Sequence, residues 1–288
     1  MIAIEHVEPS RRRPATIGIA VLSAALLVAA SLLALRHSPS TKNVVVLPQA
    51  TTTVTCGQVI TVSITVGNDL DCPSGRGLIV GAKSITINLN GHVLSGNPSA
   101  NGVDFTFSGV TIENGSVQGW HVGVVGGGAG TRVTGIRASQ NGIGIVMGGT
   151  GSIGSGDVAF SNGLHGILVE GLNVKVTSSV VRQNGADGIN IKVNSSVGAI
   201  LQTNQAENNT SNGINDLGRG TTMTGNITNG NGSDGINSSA DATSTVGTDT
   251  ANFNGAFGIE AAAGGKDSGG NLAKGNTQST QCKDVVCS

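Results

Sequence analysis

The sequence predicts an all-β solenoid, a single-stranded parallel β-helix of about ten coils with roughly 22 residues in each. Three observations predict it. The Gly of a Gly-Ile or Gly-Val pair falls at 102, 123, 144, 166, 188, 213, 235 and 258, spacings of 21, 21, 22, 22, 25, 22 and 23. The residue after each is apolar: Val103, Val124, Ile145, Ile167, Ile189, Ile214, Ile236 and Ile259. All six prolines lie at or before Pro98, and a residue that cannot donate to a ladder is excluded from stacked strands.

Taken in order, the chain opens on a basic segment, residues 1–14, with Arg11, Arg12 and Arg13. About 21 apolar or small residues follow, 15–35. That length spans a ~30 Å hydrocarbon core with the arginines on the cytoplasmic side, so the segment reads as a membrane anchor or, alternatively, a signal peptide cleaved near Val28 and Ala30. Either way the body of the chain is expected to be extracytoplasmic. No cysteine ends the apolar run, which argues against a lipoprotein. Residues 36–53 read as a linker, and 54–288 as the solenoid.

Formal net charge is −1, but the first 42 residues hold five basic side chains against two acids, leaving 11 basic and 15 acidic residues beyond. No basic stripe remains outside the N-terminus, so nucleic acid is excluded as a partner. Gly contributes 46 residues and aromatics only 2%. Such a composition would read as low complexity were the apolar positions less regular.

Four cysteines suit an oxidising compartment. Cys56 and Cys72 bracket "CGQVITVSITVGNDLDC", and Cys282 and Cys287 bracket "CKDVVC". Nearest-neighbour pairing is one of three connectivities, and would clamp each end of the array. Zinc is disfavoured, because Cys-x-x-Cys spacing and paired histidines are missing. No metal or cofactor is expected.

Within the repeat, a small residue (Ala138, Ala159, Val181, Ala206, Thr228, Ala251) precedes by three an asparagine (Asn141, Asn162, Asn184, Asn209, Asn231, Asn254), usually followed by Gly. A unit of this length with β-branched residues and no 3.6 period reads as three short strands and three turns, stacked ~4.8 Å apart. The asparagine is expected at a corner in the left-handed region, its amide forming a ladder through the stack, and the following Gly is expected to supply a second positive φ. Leucine-rich, calcium-binding nonapeptide and hexapeptide repeats lack their signatures here.

The segments "CGQVITVSITVGNDLDCPSGRGLIVGAKSITINLNGHVLSGN" and "NGVDFTFSGVTIENGSVQGW" resemble the opening coils of exported bacterial right-handed parallel β-helix proteins of the pectate-lyase-like superfamily. The resemblance covers roughly residues 54 to 287. It implies a right-handed helix, an extracytoplasmic location and, for many relatives, polysaccharide as ligand or substrate; others are passengers, adhesins or surface proteins.

In a stacked helix a site is a column of residues on neighbouring coils. The residue before each Gly-Ile pair runs His165, Asp187, Asn212, Asp234, and the residue after Ile runs Asn190, Asn215, Asn237, Glu260. Asp187 and Asp234 stand two coils apart, ~9.6 Å by strand spacing, which is within reach of an inverting acid/base pair. His165 beside Asp187 would then tune the acid, and Asp234 would activate water. The competing reading is that these residues serve turns, Asp and Asn satisfying backbone donors. Against catalysis, the Asn-x-Asp, Asp-Asp, Gly-His-Gly and Arg-Ile-Lys motifs of polygalacturonase relatives are absent, as is the carboxylate cluster with a basic residue of pectate-lyase relatives; "LHG" at 164–166 is the nearest fragment. Copper would want His, Met or Cys on adjacent coils, and His92, His121, His165, Met147 and Met223 share no repeat position. Trp120, with Phe105 and Phe107, is a candidate stacking surface for sugar, against a core or capping place. The expectation is therefore a surface protein whose Asn190, Asn212, Asn215, Asn237 and Trp120 bind polysaccharide. A hydrolase or lyase at His165, Asp187 and Asp234, or a scaffold for a protein partner, are the alternatives, and oligomeric state is open.

Overall fold

A computed structural model describes residues 50–288. The basic N-terminus, the apolar segment and most of the linker lie outside the described residues, and with them the anchor and signal-peptide readings. Among the described residues no helix is long and apolar enough to cross a membrane.

Every strand pair is parallel. An eleven-stranded sheet runs from Val59–Ile60 to Cys282–Lys283, taking one strand from each coil. The remaining legs build a fifteen-stranded sheet and a two-stranded one. A middle coil has three short strands, such as Ile167–Val169, Lys175–Thr177 and Val180–Arg182. This is a right-handed parallel β-helix with about ten turns, as the spacing predicts. The first bridge joins Thr52 to Val66, inside the stretch read as linker.

Coil register follows from the interior column. Val103 pairs with Val124, Val124 with Ile145, Ile145 with Ile167, and so on to Ile259 with Cys282, so each branched side chain stacks on its own kind. All eight members of the column are buried. Burying a Val or Ile side chain is worth about 1.5–3 kcal/mol, and a one-residue slip would turn the whole column outward.

Asn141, Asn162, Asn184, Asn209, Asn231, Asn254 and Asn276 form the expected ladder. Each amide Nδ2 donates to the next Oδ1, at 3.2, 2.9, 3.0, 3.1, 3.1 and 2.9 Å. Each Oδ1 also accepts the backbone N–H of the preceding asparagine, as from Asn184 to Asn209 at 3.1 Å. Gln281 closes the last rung, its Oε1 accepting from Asn276 at 3.0 Å.

The conformational strain lies elsewhere than the sequence reading places it. The positive φ falls on the residue before each ladder asparagine: Gln140 (56°), Ser161 (53°), Gln183 (57°), Asn208 (55°) and Phe253 (57°), with Gly230 and Gly275 completing the column. That kink aims the next side chain inward along the stack. The Gly after the asparagine saves space in some coils, since a Cβ at Gly185 would meet the Gly163 carbonyl oxygen at 2.2 Å and one at Gly232 the Thr210 oxygen at 2.1 Å, whereas one at Gly163 would have room and Thr210 takes the position after Asn209. Gly185→Ala is therefore expected to cost on the order of 1–3 kcal/mol by overpacking. Gln183→Gly, which relieves a left-handed side chain at the expense of unfolded-state entropy, is expected within about 1 kcal/mol of wild type. Urea midpoints of the two variants decide between space and φ as the reason for glycine.

A second ladder lines another corner. Asp157, Ser179, Asn204, Asn226, Asp249 and Asn271 are buried, and each accepts a backbone N–H from the coil before. The two ladder-lined corners keep their length through the middle coils: two residues between legs, as at 178–179 and 203–204, and six before the long sheet, as at 183–188 and 208–213. The third corner has only scattered rungs, such as Thr131 Oγ1 with Ser152 Oγ at 2.8 Å and the Thr221 N–H donating to Ser244 Oγ at 3.1 Å, and its length varies, from 262–265 to 170–174 to 192–199. The 25-residue spacing between Gly188 and Gly213 arises there.

Disulfides join Cys56 to Cys72 and Cys282 to Cys287, the nearest-neighbour connectivity. The first closes the opening coil and the second the last one. On the loop-closure model the first is worth on the order of 3 kcal/mol.

Candidate functional site

The columns singled out in the sequence belong to the eleven-stranded sheet and the corner leading into it. Asn190 pairs with Asn215, Asn215 with Asn237, and Asn237 with Glu260. His165 and Asp187 are brought together: Nδ1 lies 3.5 Å from Asp187 Oδ2, longer than a hydrogen bond, and has no other partner. Asp234 lies two coils further on, with Asn212 between.

Asp187 and Asp234 are covered by their neighbours rather than open to solvent. They are 5% and 7% exposed. Both oxygens of Asp187 are occupied: Oδ1 accepts the backbone N–H and the Nδ2 of Asn212 at 3.0 Å each, and Oδ2 accepts Nδ2 of Asn190 at 2.8 Å and of Asn215 at 3.1 Å. The pattern continues, Asn212 Oδ1 accepting the Asp234 N–H at 3.0 Å and Asp234 Oδ1 the Phe257 N–H at 2.8 Å. The column is thus a third, shorter ladder. Its aspartates satisfy the next coil's backbone donors, which is how a buried polar group avoids its desolvation cost.

Charge in the column follows from burial. Burial holds His165 below the usual imidazole range, with the Asp187 carboxylate opposing, so at neutral pH the ring is uncharged. Burial raises Asp234, and Glu260 adds to this, against the Phe257 N–H and Lys283. Two ion pairs flank the sheet, Lys192 with Glu170 and Lys283 with Glu260, each at 2.7 Å. Exposed pairs of this kind add about 0–1 kcal/mol. Asn212, Asn215 and Asn237 are half-buried, and Asn190 is buried. Asn215 Oδ1 has no partner within the chain.

Trp120 departs from the binding role. It is fully buried, its indole N–H donates to the Leu94 carbonyl at 3.0 Å, and a Cβ at Gly96 would fall 2.2 Å from the ring. It occupies the asparagine column one coil before Asn141, whose Oδ1 accepts the Trp120 backbone N–H at 3.0 Å. The indole therefore fills the interior where the ladder begins. Phe105 is also core, whereas Phe107 is exposed. Among the described residues no group of three or more His, Cys, Asp or Glu is placed to hold a metal ion.

The second ladder is not evident from residue type in the sequence. Its members differ in type, and only their spacings of 22, 25, 22, 23 and 22 betray them. Asp157, raised to about 8, and Asp249, raised to about 6, are its two titratable rungs, both pushed up chiefly by burial.

Neither a protein-family profile nor a curated protein sequence matches this chain. Solved structures do. It is similar to the pectate lyase Pel9A, with a TM-score of 0.57 at 17% identity over 82% of this chain and 71% of that one. The Dettilon tailspike protein gives 0.51 at 16% identity over 76% and 60%. The mannuronan C-5 epimerase AlgE4 A-module of Azotobacter vinelandii gives 0.50 at 12% over 82% and 88%. At these identities the likeness is one of fold.

Proposed function

We propose that this chain is an extracytoplasmic surface protein that binds polysaccharide along the outer face of its eleven-stranded sheet, without cleaving it. The occupancy of Asp187 carries this reading. A carboxylate whose two oxygens take four N–H donors has no free oxygen to offer a leaving group or a water, while Nδ2 of Asn212 and of Asn215 each keep a second N–H beside the one given to Asp187, and Nδ2 of Asn237 has both, donors suited to sugar hydroxyls. Two of the similar folds are named for pectate and mannuronan, which makes a glycan the first ligand class to try.

The test is release of reducing ends and unsaturated uronides from acidic and neutral polysaccharides, run beside retention of the full chain on the same glycans immobilised. Retention without release is expected, with Asn215→Ala and Asn237→Ala each weakening it severalfold. Product release that disappears in Asp187→Asn would establish the hydrolase or lyase alternative instead. Absence of both would leave a scaffold for a protein partner.

A further inference from the structure

A second binding surface lies on the fifteen-stranded sheet, away from the Asp187 column. Phe160 ends the strand Val158–Phe160 and is half-buried. The strands on either side, Arg132–Ser139 and Val180–Arg182, each bring a guanidinium to its ring: Arg137 at 5.0 Å from the centroid and Arg182 at 5.2 Å. Register explains this, since Phe160 pairs directly with Arg182 on the following coil, and Arg137, opposite Val158 on the preceding coil, sits two residues back and so on the same face. Three successive coils thus present cation, ring, cation.

Neither guanidinium is neutralised. Among the described residues the five ion pairs involve neither Arg137 nor Arg182. Arg182 donates to the neutral Oε1 of Gln183 at 3.0 Å. Glu207, next in its column, accepts instead from Asn229 Nδ2 at 3.1 Å. The same two coils also carry Arg132 and Lys175, which align through Ile153. Positive charge concentrates here in a chain that beyond residue 42 has more acids than bases.

A ring between two guanidiniums holds them in place without discharging them, because cation–π attraction uses the face of the ring and leaves the N–H fork free. The fork matches a carboxylate in bidentate geometry. The two arginines stand two coils apart, roughly 9–10 Å by strand spacing. We infer that Arg137, Phe160 and Arg182 form a docking site for a linear acidic polysaccharide running along the helix axis, with carboxylates on successive forks. A nucleic acid would want open aromatic faces for its bases, and here the guanidiniums cover the ring.

The site is separate from the first-sheet face, so each can fail alone. The full chain is passed over immobilised polygalacturonate, dextran and single-stranded DNA at 50 mM and 500 mM salt. Retention on polygalacturonate at low salt, lost at high salt, is expected. Arg137→Gln with Arg182→Gln should weaken it at least tenfold, and Phe160→Leu severalfold by unpinning both forks. Arg182→Lys, which keeps the charge but loses the fork, should weaken it a few-fold and serves if the glutamine variant misfolds. Dextran retention should be unchanged in all of these and reduced only by Asn215→Ala and Asn237→Ala. Unaltered polygalacturonate binding in the arginine variants, no binding by wild type, or tighter retention on DNA would each overturn the inference.

Discussion

Asn209→Ala is expected to lower stability by on the order of 3–5 kcal/mol, the larger of two effects that follow from the ladders. The side chain makes four bonds. Its Nδ2 reaches the Val181 carbonyl at 3.2 Å and Asn231 Oδ1 at 3.1 Å, and its Oδ1 accepts Asn184 N–H at 3.1 Å and Asn184 Nδ2 at 3.0 Å. Alanine leaves the buried Asn184 backbone N–H without a partner, at about 1–3 kcal/mol, and removes three further bonds at about 0.5–1.5 kcal/mol each, although Asn184 Nδ2 keeps the Ala159 carbonyl at 3.2 Å. In a chain of this size that corresponds to a fall in melting temperature of roughly 10 °C. Circular dichroism melts measure it. A loss under about 1 kcal/mol would mean that water replaces the amide and that the ladder contributes little.

The second large effect is a dependence on pH carried by Asp157. Its Oδ1 accepts the Ile136 N–H at 2.9 Å, while Oδ2 is buried without a hydrogen-bond partner. In the same column, Nδ2 of Asn204 donates to the Val176 carbonyl and that of Asn226 to the Leu201 carbonyl. By register the equivalent acceptor for residue 157 is the Val133 carbonyl, so a proton on Oδ2 lets the acid act as an asparagine would. Burial raises its pKa from 3.8 to about 8, with the Ile136 and Ser155 N–H groups pulling the other way. No charged side chain contributes. The folded state holds this proton more tightly than the unfolded chain. Its contribution is therefore complete below about pH 4 and is lost as pH rises towards 8, with a ceiling on the order of 5 kcal/mol. Asp249, raised to about 6, adds in the same direction over the lower part of that window. Asp157→Asn is expected to match wild type near pH 4, exceed it at pH 8 and flatten the slope between. Urea midpoints from pH 4 to 9 test this, and an unchanged slope would sink it.

Much of the architecture is legible in the sequence because every coil repeats the same physical problem. The column from Val103 to Ile259 must be interior in each turn, and the asparagines from Asn141 to Asn254 must satisfy one another. The left-handed positions are not legible, since Gln140, Ser161, Gln183 and Phe253 are residue types that carry no such preference. Nor is the environment of Asp187. Repeat position puts it beside His165 and two coils from Asp234, but only the packing of Asn190, Asn212 and Asn215 around it shows that its oxygens are spent. Trp120 is ambiguous for the same reason, because an indole suits a sugar face and an interior equally well.

The contrast among the three corners bears on how such a rod can change. Where side-chain amides bond from coil to coil, an added residue would break rungs above and below it, so those corners tolerate no growth. The corner whose rungs are interrupted already varies from 262–265 to 192–199. Novelty in this protein, whether a longer recognition loop acquired by descent or a tag introduced by hand, has one inexpensive address, and the largely exposed stretch from Val193 to Ser195 is where the corner is already longest.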